Sequence, residues 1–176
     1  MAARLEGLIE DRVEVALPSR RSLGEGAVWC PIRNRLLWID ITRGKIFSSS
    51  FGEGDGATTT TEFTDLRQPI GTVVSLDEHR VVAALAKGVC VINLTKSGGD
   101  VYERDFPNPC TNPALRYNDG KCDPQGRLWV GTMGSFCQPR MGSLCVCACV
   151  RGVQATLLCV CVLPSCACFM CAYECV

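Results

Sequence analysis

Three segments of this chain repeat one pattern, in which a strand-like run leads through a polar turn to an arginine and a second apolar run. They are Val28-Trp-Cys-Pro-Ile-Arg-Asn-Arg-Leu-Leu-Trp-Ile39, Val74-Ser-Leu-Asp-Glu-His-Arg-Val-Val-Ala-Ala84 and Lys121-Cys-Asp-Pro-Gln-Gly-Arg-Leu-Trp-Val130. The equivalent apolar positions Leu36, Val81 and Leu128 stand 45 and 47 residues apart. A period of about 40–50 residues suits one four-stranded blade of a β-propeller, a unit that buries its faces only by stacking on its neighbours.

Strand signals bounded by turn residues fall into sets. Val13–Leu17, Gly26–Trp29, Arg35–Asp40 and Lys45–Phe47 read as one set, and Thr59–Phe63, Thr72–Leu76, Arg80–Leu85 and Gly88–Ile92 as a second. Val101–Glu103 adds to the second or to the next, while Gly120–Cys122 and Arg127–Gly131 open a third. No stretch sustains a helical period with caps, so the fold class expected is all-β, about two and a half blades of an incomplete propeller. Asp123-Pro-Gln-Gly126 has the residue order of a type I turn. Asp40, Asp77 and Asp123 are expected to cap backbone N–H groups, and His79 to sit in a surface turn without a catalytic partner. Trp29, Trp38 and Trp129 are expected in the core.

Composition matters at one point, near Gly134. Residues 1–134 hold 33 of the 36 charged side chains and 4 of the 14 cysteines, leaving 3 charges and 10 cysteines for residues 135–176. Residues 12–134 are therefore expected to form the blades, and 135–176 an unstructured or misfolded Cys-rich tail. Lys plus Arg equals Asp plus Glu at 18 each, so no global field favours nucleic acid or an anionic membrane, and a small ligand is the easier partner. The stretch Met1–Arg12 mixes charged with apolar residues and lacks the apolar core of about 7–15 residues that marks a secretory signal, which predicts a cytoplasmic protein. In that compartment Cys30, Cys90, Cys110 and Cys122 are expected as free, mostly buried thiols.

The tail admits three readings. Cys145-Val-Cys-Ala-Cys149, Cys159-Val-Cys161 and Cys166-Ala-Cys168 invite soft metals, although no Lys balances thiolate charge and the spacing matches no zinc ribbon. Gly152–Tyr173 carries no charge over about the length of a spanning helix, but Gln154 and Pro164 argue against a membrane segment. Alternating Cys and Val is also what a run of alternating T and G nucleotides encodes, and translated non-coding sequence is the expectation adopted.

Two segments could carry chemistry. Leu23-Gly-Glu-Gly-Ala-Val-Trp29 sets a carboxylate between two glycines at a strand entrance, where the backbone can turn sharply and approach a ligand. Arg116-Tyr-Asn-Asp-Gly-Lys121, followed by Gly131-Thr-Met133, offers a guanidinium, an amide and a carboxylate.

Together with Leu37-Trp-Ile-Asp40, these segments resemble the first-blade and third-blade signatures of the gluconolactonase and regucalcin (senescence marker protein) family of six-bladed propellers, over roughly Arg12–Met133. The resemblance implies a metal-dependent sugar-lactone hydrolase with a calcium or zinc cofactor. It implies Glu25 as a metal ligand, Arg116 and Asn118 as substrate-binding residues, and a sugar lactone as partner. It assigns no further catalytic residue here, because the family's Asn and Asp ligands come from later blades and Ser135-Phe-Cys-Gln-Pro139 replaces the acidic residue that usually follows Gly-Thr-Met. One Glu with water does not supply the 6–8 oxygens calcium takes, so this form is expected to lack turnover. The alternatives are a non-catalytic isoform or calcium-binding protein, and a thiol-rich metal-binding tail.

Overall fold

The computed structural model describes residues 17, 21–51, 59–106, 112–136, 142–148 and 156–160, with the backbone alone at 62–64, 104, 147–148 and 156–160. Twelve strands among them form three antiparallel sheets of four strands each. The first sheet holds β1 (Gly24–Cys30), β2 (Arg35–Asp40), β3 (Lys45–Ser50) and β4 (Thr59–Asp65); the second holds β5 (Ile70–Ser75), β6 (Arg80–Leu85), β7 (Val89–Asn93) and β8 (Tyr102–Phe106). The third holds β9 (Leu115–Cys122), β10 (Leu128–Gly134), β11 (Leu144–Ala148) and β12 (Thr156–Val160). Each sheet is a meander in chain order, and the first strand of one packs against the first strand of the next, β1 on β5 and β5 on β9.

The repeat is visible in the packing. The middle sheet is covered on both faces, which is why its strands read as unbroken apolar runs rather than alternating ones. From β6 and β7, Val81, Ala83, Leu85, Cys90 and Ile92 join Leu37, Ile39 and Ile46 of the first sheet. The intervening Val82, Ala84, Val89 and Val91 join Leu128, Val130 and Cys145 of the third. Trp38 is buried, stacks on Phe47 at 4.2 Å between ring centroids, and donates its indole N–H to Ser49 Oγ at 2.9 Å. Trp29 departs from expectation: it is 50% exposed. It lies on the face of the first sheet turned away from the second.

The aspartates act as expected. Asp77 accepts the backbone N–H groups of His79 and Arg80 and the Arg80 side chain. Asp123 accepts those of Gln125 and Arg127, the Arg127 guanidinium at 2.6 Å and the Trp129 indole at 2.9 Å. The turn predicted at Asp123–Gly126 closes with Gly126 N–H donating to Asp123 O at 2.9 Å. Cys30 and Cys90 are buried thiols and Cys122 is half-buried; Cys110 lies outside the described residues.

Two boundaries differ from the sequence reading. Thr59–Asp65 is the outer strand of the first sheet, not the start of the second, because β4 pairs antiparallel with β3 while the step between sheets is the short stretch 66–69. Length misled here: loop-closure entropy rises only slowly with loop length, so a long connection need not separate units. The third sheet, in turn, is completed from residues assigned to the tail. Leu144–Ala148 pairs with β10, and Thr156–Val160 pairs with β11. The described residues therefore contain three four-stranded sheets rather than two and a half, and strand pairing continues past Gly134. A strand needs backbone partners and a buried face, not charge; Val is β-branched, and Cys packs as a small apolar residue, as Cys145 does with no exposed surface. The remainder of the 135–176 segment, residues 137–141, 149–155 and 161–176, lies outside the described residues, as does the strand expected at 13–16. No helix among the described residues is long and apolar enough to cross a membrane.

Candidate functional site

The first strand of every sheet carries one extra residue. In β1, Glu25 faces Ile39 and Val28 faces Leu37, leaving Gly26 and Ala27 opposite Trp38 alone. In β5, Ile70 faces Leu85 and Thr72 faces Ala84, leaving Gly71 unopposed. In β9, Tyr117 faces Thr132 and Gly120 faces Val130, so Asn118 and Asp119 share Gly131. Such bulges bend a strand and re-aim its side chains. Gly26 serves this in the left-handed region, at φ 62°.

The three bulges converge. A cleft of about 160 Å³ is lined by Leu23, Glu25, Gly26, Ile41, Gly71, Arg116, Asn118 and Asp119. Glu25, Arg116 and Asn118, singled out from two distant sequence segments, thus line one cavity. Strands β5 and β9 approach so closely there that a Cβ on Gly71 would stand 2.4 Å from Asn118 O. Thr72 Oγ1 donates to Gly120 O at 2.9 Å and pins the two strands at that height.

Each polar group has a structural reason for its position. Arg116 donates one guanidinium nitrogen to Tyr117 O at 3.0 Å and to Asn118 Oδ1 at 3.1 Å. Asp119 Oδ1 accepts the Gly120 N–H at 2.8 Å. The approach to Glu25 is fixed by buried Asp40, which accepts Ser22 N–H at 2.9 Å, Leu23 N–H and Arg43 N–H at 3.3 Å each and the Thr42 hydroxyl at 3.2 Å. Burial would raise the Asp40 pKa, yet these hydrogen bonds outweigh it and hold the carboxyl below its usual value. Glu25 and Gly26 also border a wider cleft of about 540 Å³ on the other side of β1, beside Arg21, Leu36 and Trp38.

Asp119 is the carboxylate of the Arg116–Lys121 segment, to which the sequence assigns no role. Its signal was a glycine, Gly120, inside an otherwise strand-like run, which marks a bulge.

A divalent cation would demand more than these donors supply. Two carboxylates and an amide are hard oxygen ligands of the kind calcium takes, but calcium wants about 6–8 oxygens. The amide oxygen of Asn118 is already held by the Arg116 guanidinium. Among the described residues no three His, Cys, Asp or Glu side chains form a metal-binding group. These residues by themselves do not fit such an ion.

The family pattern described as "SMP-30/Gluconolactonase/LRE-like region" matches residues 23–159, a span that includes β11 and most of β12. Human regucalcin is 28% identical over 128 residues, covering 73% of this chain and 40% of the relative. The 6-deoxy-6-sulfogluconolactonase of Pseudomonas putida is 31% identical over 118 residues, covering 67% of this chain and 37% of the relative. The chain thus spans about 40% of the length of the curated relatives it matches. Among solved structures, a calcium-binding protein, regucalcin, from Agrobacterium tumefaciens superposes with a TM-score of 0.63 at 22% identity, over 82% of this chain and 45% of that one. A luciferin-regenerating enzyme superposes with a TM-score of 0.58 at 21% identity, over 72% of this chain and 42% of that one. These two likenesses establish a shared fold.

Proposed function

The chain belongs to the SMP-30/gluconolactonase/LRE-like family, and we propose that its 160 Å³ cleft is one part of a sugar-lactone site in a six-bladed propeller. The observation that supports this is convergence: bulges in β1 and β9 bring Glu25, Arg116 and Asn118 to the same cavity.

Arg116 and Asn118 are the substrate contacts in this reading. A guanidinium has five N–H donors, and fixing one nitrogen on Tyr117 O and Asn118 Oδ1 orients the plane of the rest. Such a group suits ring hydroxyls and the lactone carbonyl, whose oxygen gains negative charge when water adds; donors aimed at that oxygen stabilise the transition state. Leu23 and Ile41 supply an apolar wall against the sugar ring. Glu25 is the carboxylate that the family resemblance assigns to a cation, calcium or zinc, and further oxygen donors would have to complete that site. The residues described here accordingly bind a lactone without hydrolysing it.

The test pairs two measurements on the chain: hydrolysis of gluconolactone at constant pH with calcium or zinc added, and NMR-detected binding of a non-hydrolysable cyclic sugar. The expected result is saturable binding weakened about tenfold by Arg116→Ala, the loss of one or two charged hydrogen bonds, with no hydrolysis above buffer. Turnover that needs the metal and disappears in Glu25→Gln would keep the lactone site but overturn the lack of activity. Binding that is unchanged in Arg116→Ala and Asn118→Ala would overturn the site itself.

A further inference from the structure

One row of residues crosses the third sheet: Gly120 faces Val130, Val130 faces Cys145, and Cys145 faces Cys159. Among the described residues this is the one register position where two cysteines stand directly opposite each other. The neighbouring Cys147 faces Leu128 and Leu157. Directly opposed residues of an antiparallel pair have Cα atoms about 4.5–5.5 Å apart, inside the roughly 4.4–6.8 Å that a disulfide spans. Residues two apart on one strand, such as Cys145 and Cys147, are separated by about 6.6 Å at the limit of that range, with side chains standing side by side.

We propose that Cys145 and Cys159 form a reversible disulfide that fastens β12 to β11 under oxidising conditions. The positions of the two residues set the order of events. Cys145 is fully buried in the layer shared with Leu128 and Val130. Among the described residues strand β12 is the outer strand of its sheet and pairs with β11 alone, and edge strands open locally before the core does. Cys159 therefore meets the oxidant first. Its thiolate attacks one sulfur of a low-molecular-weight disulfide such as glutathione disulfide, forming a mixed disulfide and releasing one thiolate. When β12 closes again, the Cys145 thiolate displaces the second small thiolate from the Cys159 sulfur. The protons of the two cysteines end on the two released thiols, so two protein thiols are oxidised and one small disulfide is reduced.

The link would close a loop of about 15 residues, enough to make opening of β12 rarer by roughly a hundredfold. In the reduced state the strand depends on its backbone hydrogen bonds to β11. The inferred device is thus a redox-dependent clasp on the last strand of the third sheet.

The experiment treats the full chain with glutathione disulfide without denaturant. Trypsin cuts after Arg140 and Arg151 and so places the two cysteines in different peptides. Non-reducing mass spectrometry with fragmentation should find Cys145 joined to Cys159 as the main product, present in Cys147→Ser and Cys161→Ser and absent in Cys159→Ser. Hydrogen exchange at Thr156–Val160 should slow on oxidation and recover with reductant. Because Cys145→Ser disturbs a buried position, the edge variant Cys159→Ser is the decisive one. Other pairings dominating, glutathione adducts that never resolve, or exchange indifferent to oxidation would each overturn the clasp.

Discussion

Replacing Gly71 with alanine tests both the packing of the sheets and the origin of the cleft. The added Cβ would lie 2.4 Å from Asn118 O, 2.6 Å from Tyr117 C and 2.6 Å from Tyr117 O. All three are backbone atoms, so no side chain can rotate away. A carbon approaches a carbonyl oxygen no closer than about 3.3 Å at ease, which requires β5 and β9 to separate by nearly 1 Å at this point. Overpacking of a tight core costs about 1–3 kcal/mol; with backbone on both sides the upper end is expected, together with strain on the Thr72 hydrogen bond to Gly120 O. A loss of about 3 kcal/mol would lower the urea midpoint by about 1–3 M for an m-value of about 1–3 kcal/mol/M. The same displacement moves Arg116 and Asn118 away from Glu25, so cyclic-sugar binding should weaken even at urea concentrations where the variant is fully folded. Gly99→Ala is the matched control, since a Cβ there meets nothing within 4 Å. A Gly71→Ala variant with the control's midpoint and undiminished binding would refute the close approach of β5 to β9.

Three other outcomes are expected. The Trp129 indole, then the Arg127 N–H groups, hold the Asp123 carboxyl at about 2, against about 3.9 for an unfolded aspartate; a depressed pKa stabilises the fold above the unfolded value and the contribution is lost as pH falls from about 4 toward 2. Urea midpoints measured between pH 5 and pH 2.5 should therefore fall less steeply in Asp123→Asn than in the parent, and equal slopes would contradict the assignment. Burial, and after it the Asp105 charge, pushes the Cys90 thiol up to about 12, so iodoacetamide at pH 8 should leave it unmodified while the chain is folded; labelling at the unfolded rate would show that the second sheet is not packed as described. Thr72→Val keeps the shape but removes the donor to Gly120 O, for an expected cost of about 1 kcal/mol in chemical denaturation, and no change would mean that β5 and β9 are not joined there.

How much could be read from the sequence follows from which features are local. The arginine-led repeat is local, and Leu36, Val81 and Leu128 do fall in the second strand of successive sheets. So is turn chemistry, as Asp77 and Asp123 show. Sheet membership is not local, and the outer strand Thr59–Asp65 was misplaced because a long loop looks like a boundary when only chain length is visible. Cys145-Val-Cys147 was set aside for its composition, although the edge of β10 accepts any strand with a backbone to offer and an apolar face to bury. Asp119 has no role assigned from sequence because a bulge exists only in relation to a partner strand: Gly120 hints at one, but only the pairing with β10 shows that Asn118 and Asp119 share Gly131.

That last point explains why the cleft stands where it does. Strict alternation commits each side chain of an inner strand to one of two sheet faces, and in the middle sheet both faces are covered by neighbours. A residue that is to face a ligand at the strand end must escape that alternation, and one extra residue achieves it. The three bulges share a height but differ in content: Gly26-Ala27 after the carboxylate of Glu25, Gly71 alone, and Asn118-Asp119 after the guanidinium of Arg116. Strand β5 thus contributes no side chain at its bulge; it contributes room. Without a Cβ at Gly71 the first and third sheets come near enough for Glu25 and Arg116 to line one cavity, so a residue with no functional group is the one on which the meeting of the functional groups depends.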